Sequence, residues 1–526
     1  MLWGAAMGAF RDDDGAPPFT PGELGACLDV LEALASRRGL LASMDEPVRR
    51  RLLVAAGRLS RPERDEQREL AKAFRRRDRE GRKAADGELL DATGIRAARR
   101  APVFRTPDPA LAEAPGSAAT AEAPAGSDGR ERGPELARPR KCYVCKAEYR
   151  AVHFFYDSMC PPCGDFNYEK RNQTAPLDGR VAIVTGARVK IGYQAAIKLL
   201  RAGGRVVVTT RFPRDAARRY AEEPDFDAWA SRLSIYGLDL RHTPSVELLA
   251  RHLDRSLDRL DAILNNACQT VRRPPDFFAH LVQAESAPIA ALPERARPLV
   301  AEYEGLRRRG DLALPGGRGP DAGAGLLEPA LLSQIRTAAD SPLAADALFP
   351  SGRYDADQQQ VDLRGVNSWR LTLTEVPTVE MLEVQLVNAV APFVLNARLK
   401  PLMMRQRSFA GHIVNVSAVE GQFYRAHKTD RHPHTNMAKA ALNMMTRTSA
   451  PDYAKHGIFM NSVDTGWVTD EDPAALAERK VEEHGFHPPL DIVDGAARIC
   501  DPIFSGMLTG EPVWGQFLKD YLPADW

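Results

Sequence analysis

Four cysteines in two close pairs are the residues whose spacing most directly indicates chemistry. Cys142 and Cys145 form one Cys-x-x-Cys pair, Cys160 and Cys163 form the other, and fourteen residues separate them. Four thiolates at this spacing can surround one tetrahedral metal ion, most often zinc. Because protein ligands would fill every position, we expect a structural zinc site rather than a catalytic one. A four-thiolate iron centre and a redox-active cysteine pair are the alternatives.

A glycine-rich turn offers a second kind of chemistry, the binding of phosphate. The segment TGARVKIGY, Thr185 to Tyr193, follows an apolar run of strand length and opens a helical pattern. The first turn of a helix presents free N–H groups and the positive end of the helix dipole, and both favour a pyrophosphate. The sequence therefore predicts a nucleotide site at this turn.

The chain divides into four regions of different predicted structure, and these regions must position the groups just described. Residues 1–105 carry leucines at helical spacing and predict a helical region. Residues 106–139, rich in Ala, Pro, Glu, Gly and Ser, predict a disordered linker. A small four-cysteine module, residues 140–172, precedes residues 176–526. In that last part apolar runs alternate with helical patterns, which predicts an α/β fold with a doubly wound parallel sheet.

Composition and charge narrow the classes of function. The chain has 526 residues and a formal net charge of +1, so nothing favours nucleic acid or an anionic membrane surface as a partner. We expect neither a membrane span nor a secretory signal. The seven cysteines, an odd number, favour a reducing compartment over a disulfide framework. The sequence thus predicts a cytoplasmic protein.

Over about residues 176–526 the order of several motifs resembles the short-chain dehydrogenase/reductase family. Its loop pattern TGxxxGxG is matched by Thr185, Gly186 and Gly192, while Lys190 replaces the middle glycine. LDL, NNAC and NSVDTGWVTDE follow in the family's order. The resemblance implies a Rossmann sheet that binds a nicotinamide cofactor. The cofactor-binding residues it implies are Thr185, Gly186, Arg188, Lys190, Ile191, Gly192, Arg211, Asp239, Asn265, Ala267, Lys439, Gly466, Val468 and Thr469.

Basic residues near the adenosine end of the expected cofactor favour NADP over NAD. In the family an acidic residue after the second strand binds the NAD ribose, and here Arg211 stands in its place. A guanidinium suits the extra phosphate of NADP, and Arg188 can assist it. The alternative is that both arginines form surface ion pairs. The Lys190 side chain can either crowd the phosphates or contact them through its ammonium.

The catalytic set that the resemblance implies is incomplete. Ser, Tyr, Lys and Asn act together in the family, and three of them stand in the matching segments: Asn388, Ser417 and Lys439. Thr435 occupies the position of the Tyr, four residues before Lys439. We keep Thr435 among the candidate catalytic residues, although an aliphatic hydroxyl is a far weaker acid than a phenol.

Three explanations of the missing phenol stay open. Another group can supply the proton, and Tyr424 is our first candidate because it lies in the loop EGQFYRAHK, which usually covers the substrate. His427, His432 and His434 lie nearby. The reaction can also take its proton from water or from the substrate. In the third explanation the site is inactive and the domain binds nucleotide as a sensor.

The favoured function is an NAD(P)-dependent oxidoreductase of the short-chain type, acting on a small-molecule carbonyl or alcohol. The alternative is an inactive NADP-binding sensor or scaffold that binds partner proteins through its zinc module and helical N-terminal region. The resemblance implies a homo-oligomer, assembled through the long helices after Pro377 and Thr435. An insertion at about 271–367 precedes the Asn-bearing helix, where we expect a lid over the substrate pocket.

Overall fold

The N-terminal region is helical, as the sequence predicts. The structure, a computed structural model, describes residues 19–107, 134–309, 323–335, 345–405, 410–424 and 428–526. It divides into two compact units, Met1–Ala84 and Ala85–Trp526. The first unit contains α1 (Pro21–Ser36), α2 (Glu46–Ser60) and most of α3 (Arg64–Asp91). A capping box starts α1, because the Thr20 hydroxyl accepts from Glu23 N while the Glu23 carboxylate accepts from Thr20 N.

Within the second unit, the four-cysteine module follows α4 (Gly94–Arg99). It consists of an antiparallel pair, β1 (Glu135–Lys141) and β2 (Glu148–Ala151), followed by α5 (Pro161–Asn172). The predicted linker, residues 106–139, is therefore too long at its end. The Asp86 carboxylate accepts from Ala137 N at 2.6 Å and fixes that strand, which the polar composition did not reveal. Residues 108–133 lie outside the described part of the chain.

A mainly parallel eight-stranded sheet forms the centre of the second unit. Its order is β5–β4–β3–β6–β7–β8–β9–β10, and only β10 runs antiparallel to its neighbour. The strands are β3 (Val181–Thr185), β4 (Arg205–Thr210), β5 (Leu233–Gly237), β6 (Ala262–Asn265), β7 (Gly411–Ser417), β8 (Ile458–Asp464), β9 (Phe517–Lys519) and β10 (Leu522–Ala524). The order reverses between β3 and β6, and such a switch point opens a crevice at the carboxyl ends of the strands.

Helices cover both faces of this sheet, which confirms the doubly wound α/β prediction. They are α6 (Lys190–Arg201), α7 (Pro213–Ala221), α8 (Phe226–Trp229), α9 (Thr243–Ser256), α15 (Thr378–Gln385), α16 (Ala391–Arg405), α17 (Pro433–Ala454), α18 (Ala474–His484) and α19 (Ile492–Thr509). One apolar core lies where α6 and α19 meet the sheet, and a second lies under α9 and α16. The continuous Val, Ile and Leu runs of the strands are buried because each faces one of these cores.

The insertion packs against the edge of the sheet and also reaches its carboxyl end. Its helices are α10 (Ala279–Ser286), α11 (Ala301–Arg309), α12 (Ala324–Leu327), α13 (Pro329–Leu332) and α14 (Ala345–Leu348). The Tyr303 hydroxyl donates to the Leu326 carbonyl at 2.8 Å. A Cβ on Gly237, at the end of β5, would lie 2.2 Å from the Tyr303 hydroxyl, so only glycine fits there.

The stretch Thr378–Arg405 is long and apolar enough to cross a membrane, judged by length and composition alone. In the folded chain it is α15, a π-turn at Leu386–Val390 and α16. Leu395, Leu399 and Leu402 are buried in the core under the sheet. We therefore interpret this stretch as a core helix, although its length and composition alone would allow a membrane span, which the sequence analysis did not expect.

Candidate active site

A cavity of about 880 Å³ opens at the carboxyl ends of the central strands. Of the residues predicted from sequence, its wall contains Gly186, Arg188, Lys190, Ile191, Gly192, Arg211, Asp239, Ala267, Ser417, Tyr424, Lys439, Gly466, Val468 and Thr469. Four other predicted residues, Thr185, Asn265, Asn388 and Thr435, are not in this wall. The fold thus brings residues from distant parts of the chain together because parallel strands all end at the same edge.

The glycine-rich turn between β3 and α6 is held by close backbone packing. Gly186 has φ of +67°, and a Cβ there would lie 2.8 Å from Ala267 Cα. A Cβ on Gly192 would lie 2.3 Å from Asn266 Nδ2, which donates to the carbonyls of Thr185 and Gly186. Thr185 faces inward, where its hydroxyl accepts from Ala267 N at 3.0 Å. Thr185 therefore shapes the turn, and glycine is required where the turn meets the segment that follows β6.

Lys190 adopts a left-handed backbone, with φ of +57°, at the position where the family has glycine. A residue with a Cβ is strained in this conformation. Its ammonium lies 4.0 Å from the Asp357 carboxylate of the insertion, and about a third of the side chain is exposed. The side chain is therefore directed toward the insertion at the mouth of the phosphate turn.

Arg211 and Arg188 lie in the same wall but have different partners. Arg188 Nη1 donates to the Asp215 carboxylate at 2.7 Å, so its charge is already paired. The Arg211 guanidinium lies 4.4 Å from the ring centre of Phe278 and, among the described residues, has no hydrogen bond or ion pair. Burial lowers the pKa of Arg211 to about 10, against the opposing effect of Asp239. Arg211 is thus a charged donor in the cavity wall with no anionic partner in the described part of the chain.

Asp239 and Asn265 have their side chains committed elsewhere. Arg241 holds the Asp239 carboxylate at 2.7 Å. Burial opposes ionisation of Asp239, but the hydrogen bonds and charge of Arg241 lower its pKa below the ordinary value. Asn265 turns into the core, where its amide donates to Asn396 at 2.9 Å and to Asn415 at 2.8 Å. The predicted cofactor contact of Asn265 is not supported by this position, and its neighbour Asn266 lines the cavity instead.

Ser417 and Lys439 meet at the far end of the cavity. Lys439 Nζ donates to the Val416 carbonyl at 2.8 Å, which brings α17 against the end of β7. The Ser417 hydroxyl lies 2.6 Å from Asn443 Oδ1, whereas Asn443 Nδ2 is buried without a partner among the described residues. A half-turn of this amide would let Nδ2 donate to Ser417 and free the hydroxyl proton for a ligand. Sequence reasoning missed Asn443, although it lies one helical turn beyond Lys439.

Thr435 is buried away from the cavity, which corrects its inclusion among the catalytic residues. Its hydroxyl donates to the His432 carbonyl at 2.8 Å, and the His432 ring stacks on Trp369 at 3.8 Å. His434 lies 3.3 Å from the Glu380 carboxylate and is also outside the cavity wall. His427 lies outside the described residues. In the first turn of α17, neither Thr435 nor His434 is therefore placed to donate a proton to a substrate in the cavity.

Asn388 supports the cavity from behind. It lies in the π-turn Leu386–Val390, and its side chain accepts from Gln269 N at 2.8 Å. Such turns are uncommon and often mark functional sites. Gln269 itself is in the cavity wall, so Asn388 positions the segment after β6 rather than contacting the cavity directly.

Tyr424 and Asp464 are two further groups in the cavity wall that can carry a proton. Tyr424 is in the wall and 55% exposed. Asp464 ends β8, its Cα pairs with that of Ser417 in the sheet register, and it is also in the wall. Burial raises the pKa of Asp464 to about 6, and Glu420 adds to the shift. Sequence reasoning missed Asp464, although its place at the carboxyl end of a strand was a usable signal.

The segment after β8 follows a tight path. Gly466 has φ of +74°, and a Cβ there would lie 2.5 Å from Leu490 Cδ1. The Thr469 hydroxyl donates to the Glu471 carboxylate at 2.7 Å. Val468 is buried in an apolar cluster that includes Cys142. This segment lies in the cavity wall, with Val468 and Ile191 in one apolar cluster, and the resemblance implies that it contacts the nicotinamide end.

The four cysteines form a cluster that fits a tetrahedral ion. Their Sγ atoms all lie within 4.8 Å of one another, and those of Cys145 and Cys160 are 3.7 Å apart. Zinc–sulfur bonds of about 2.3 Å in a tetrahedron require sulfur atoms about 3.8 Å apart. Burial and neighbouring thiols raise the pKa of Cys163, whereas backbone N–H groups, against the effect of burial, lower that of Cys142 to about 7. Only a cation would allow four thiolates to share this space.

Comparison with known proteins agrees with this architecture. The family model described as short chain dehydrogenase matches residues 180–285, and that described as Enoyl-(Acyl carrier protein) reductase matches residues 365–486. The two matches flank most of the insertion and include the phosphate turn, Ser417 and Lys439.

Individual relatives differ in how much of the chain they share. An uncharacterized protein of Acanthamoeba polyphaga mimivirus is 31% identical over 376 residues, which cover 69% of this chain and 71% of the viral protein. Dehydrogenase/reductase SDR family member 13 of Bos taurus is 34% identical over 122 residues, 22% of this chain and 29% of that protein. The solved RhlG/NADP active-site complex of Pseudomonas aeruginosa is 18% identical, covers 66% of this chain and 96% of its own, and superposes with a TM-score of 0.40.

Apart from the viral protein, the chain matches about a third or less of the length of these curated relatives. The two family models match the first and the second half of the sheet domain. Over residues 180–285 and 365–486 the sheet domain therefore matches the short-chain dehydrogenase/reductase family, a family of oxidoreductases.

Proposed function

We propose that the protein is an NADP-dependent oxidoreductase that interconverts a small-molecule carbonyl and its alcohol. The observation that carries this proposal is a single cavity. At one end lies Arg211, which has no ion-pair partner among the described residues, and at the other end lie Ser417 and Lys439. NADP would place the phosphate on its adenosine ribose near Arg211. Its reactive nicotinamide ring would then lie near Ser417 and Lys439.

The residues of the cavity fit such a cofactor. The N-terminus of α6 and the ammonium of Lys190 would meet the pyrophosphate, and Arg211 would meet the phosphate on the ribose. Gly466 and Thr469 would flank the nicotinamide. When bound, NADP supplies or accepts a hydride at its ring.

At the reacting end, the Ser417 hydroxyl would hold the carbonyl oxygen of the substrate. The buried Lys439 ammonium stabilises negative charge that develops beside it. Tyr424 is the proposed proton donor because it lines the same cavity as this pair of residues. Asp464 is the second acid in reach of the same end, and it is protonated over part of the physiological range.

The experiment that tests the proposal is a titration with NADPH and NADH, followed by a screen of carbonyl compounds for oxidation of the bound cofactor. We expect NADPH to bind at least tenfold more tightly than NADH, at about 1.4 kcal/mol or more of added free energy. Absence of binding by either cofactor would refute the proposal. Binding of a cofactor without turnover of any aldehyde, ketone or activated diketone would refute only the catalytic part of the proposal.

A nucleotide-binding sensor is the second candidate function. The position of Thr435, buried and bonded to the His432 carbonyl, favours it because the family's proton donor has no substitute on the same helical turn. A sensor would bind NADPH without turnover and change its affinity for a partner protein.

We also propose that the four cysteines hold a structural zinc ion. Four thiolates leave no open position for a substrate, so the ion would hold the module together rather than react. Elemental analysis of the purified protein should find one zinc per chain. One iron per chain would change the identity of the metal but not its structural role. A metal-free cluster in the folded protein would refute the proposal.

Self-assembly is a further part of the proposal. α15, α16 and α17, the helices through which the family resemblance implies oligomers, carry exposed apolar side chains: Leu382, Phe393, Met437 and Met444. Exposed apolar residues on adjacent helices favour an interface between copies of the chain. A cytoplasmic location, and a protein partner for the helical N-terminal region, are proposed on the sequence alone.

A further inference from the structure

The four-cysteine module contributes directly to the wall of the candidate active site. Tyr143, which lies between the first two cysteines, lines the cavity, and Lys146 just after them does so too. The Tyr143 hydroxyl accepts a hydrogen bond from Trp467 N at 3.0 Å. A Cβ on the preceding residue, Gly466, would lie 3.0 Å from the same hydroxyl. The module therefore holds the segment after β8 by its backbone.

Apolar packing joins the same two parts of the chain. Val468 of the segment, Leu490 and Ile492 are buried in one cluster with Cys142 and Met159 of the module. A buried cluster of this kind resists independent movement of its members, because separating them would expose apolar surface.

Buried polar bonds extend the attachment to α19, which follows the segment. Arg171 of the module donates to Asp491 at 2.6 Å and to Asp494 at 2.8 Å, and the Tyr156 hydroxyl donates to Asp494 at 2.6 Å. These groups are buried, so removing one partner would leave a charge unpaired in the interior. The module thus holds both ends of the stretch between β8 and α19.

We propose that the first cysteine pair positions the segment that meets the nicotinamide end of the cofactor, with Tyr143 as the positioning residue, so that metal binding controls cofactor affinity. The consequence for affinity rests on the proposed function. The positioning itself does not, because it is a property of the chain alone.

The metal matters because the module is too small to hold this shape by itself. Its two strands and one helix span fewer than about 40 residues, a size at which a metal usually supplies the missing stability. Without an ion the four thiols would separate, and the backbone of Tyr143 would lose its anchor on both sides. The hydrogen bond to Trp467 N would then be lost although no cofactor contact has changed.

The test compares Tyr143→Phe with the matched control Tyr149→Phe in the full-length, zinc-loaded protein. Each change removes one phenol oxygen from the module, but the Tyr149 hydroxyl donates to the Asp157 carbonyl inside the module at 3.1 Å. Two quantities are measured: hydrogen–deuterium exchange of the peptide that contains Trp467, and the dissociation constant of NADPH. We expect Tyr143→Phe to speed exchange and to weaken NADPH binding by about three- to tenfold, the effect of one net hydrogen bond. The control should change neither.

Removal of zinc from the wild-type protein with a chelator provides a second arm. It should reproduce both effects, and it should add less to Tyr143→Phe than to the wild type because part of the coupling is already lost. Unchanged exchange at Trp467 in Tyr143→Phe would overturn the proposal, as would equal effects of the two substitutions. Faster exchange in a protein that binds no NADPH would uphold the positioning and refute the proposed oxidoreductase.

Discussion

At the scale of single residues, partners decide what a charged side chain is available to do. Arg188 and Arg211 are the same residue type in one cavity wall, but Asp215 neutralises Arg188 while Arg211 rests on the Phe278 ring. A partly buried guanidinium without an anionic partner is costly to maintain, and a ligand phosphate would relieve that cost. Arg211 is therefore the residue on which the proposed preference for NADP depends.

Replacing Arg211 with Ala should weaken NADPH binding by roughly ten- to a hundredfold, because hydrogen bonds to a charged phosphate contribute about 1.5–3 kcal/mol. NADH, which lacks that phosphate, should bind almost as before. Fluorescence titration of both cofactors measures the change. Arg255→Ala, on the exposed end of α9, is the control and should alter neither affinity. Equal losses for NADPH and NADH would contradict the assignment.

Replacing Tyr424 with Phe should lower kcat by about a hundredfold or more, the usual contribution of a positioned acid. The affinity for NADPH should stay constant, since only the proton source is removed. Steady-state kinetics with any accepted carbonyl measures the effect, and Tyr354→Phe, outside the cavity wall, is the control. If turnover survives in Tyr424→Phe but fails in Asp464→Asn, the carboxyl is the donor instead.

The buried carboxyl of Asp464 makes stability depend on pH. Burial raises its pKa from the ordinary value of 3.8 to about 6, so between these values the folded chain keeps a proton that the unfolded chain releases. Stability from this group is therefore present below about pH 4 and is lost as pH rises toward 6. Asp464→Asn should gain up to about 3 kcal/mol relative to the wild type across this window. Denaturant unfolding at several pH values measures the difference, which a pH-independent offset would contradict.

At the scale of secondary-structure elements, the glycine-rich turn between β3 and α6 combines closely packed glycines with one strained residue. Gly186 and Gly192 have neighbours that leave no room for a Cβ, whereas Lys190 adopts φ of +57° and pairs with Asp357 of the insertion. The backbone path is thus kept although the glycine has been lost. The left-handed conformation of Lys190 should cost about 1 kcal/mol.

Two substitutions at Lys190 separate backbone strain from charge. Lys190→Gly should raise stability by about 1 kcal/mol, because glycine adopts positive φ without a steric cost. Lys190→Met keeps the strain and should leave stability nearly unchanged. Both variants lose the ammonium and should weaken NADPH binding a few-fold, measured beside denaturant unfolding. Tighter NADPH binding in Lys190→Gly would mean that the side chain crowds the phosphates.

At the scale of the whole molecule, the exposed faces of α16 and α17 predict self-assembly. Glutamate at both Phe393 and Met444 would place charges where apolar surfaces should meet, so the double variant should shift from an oligomer to a monomer. Light scattering after size-exclusion chromatography measures the mass. Leu508→Glu, an equally exposed apolar position on α19, is the control and should leave the mass unchanged. A wild-type protein that is already monomeric would contradict the prediction.

The sequence by itself determined the elements and the types of chemistry. Apolar runs identified the buried strands, the glycine pattern after Thr185 predicted the turn at the cavity, and the spacing from Cys142 to Cys163 predicted the cluster of four cysteines. These signals are local, because a strand, a helix N-terminus and a Cys-x-x-Cys pair each depend on a few consecutive residues.

Only the tertiary structure decided which side chains share the cavity and in what state. It placed Asp464 beside Ser417, turned Asn265 into the core, buried Thr435, and brought Tyr143 of the module against Trp467. Pairing, burial and pKa depend on groups distant along the chain, and no local pattern records which of them the packed sheet brings into contact.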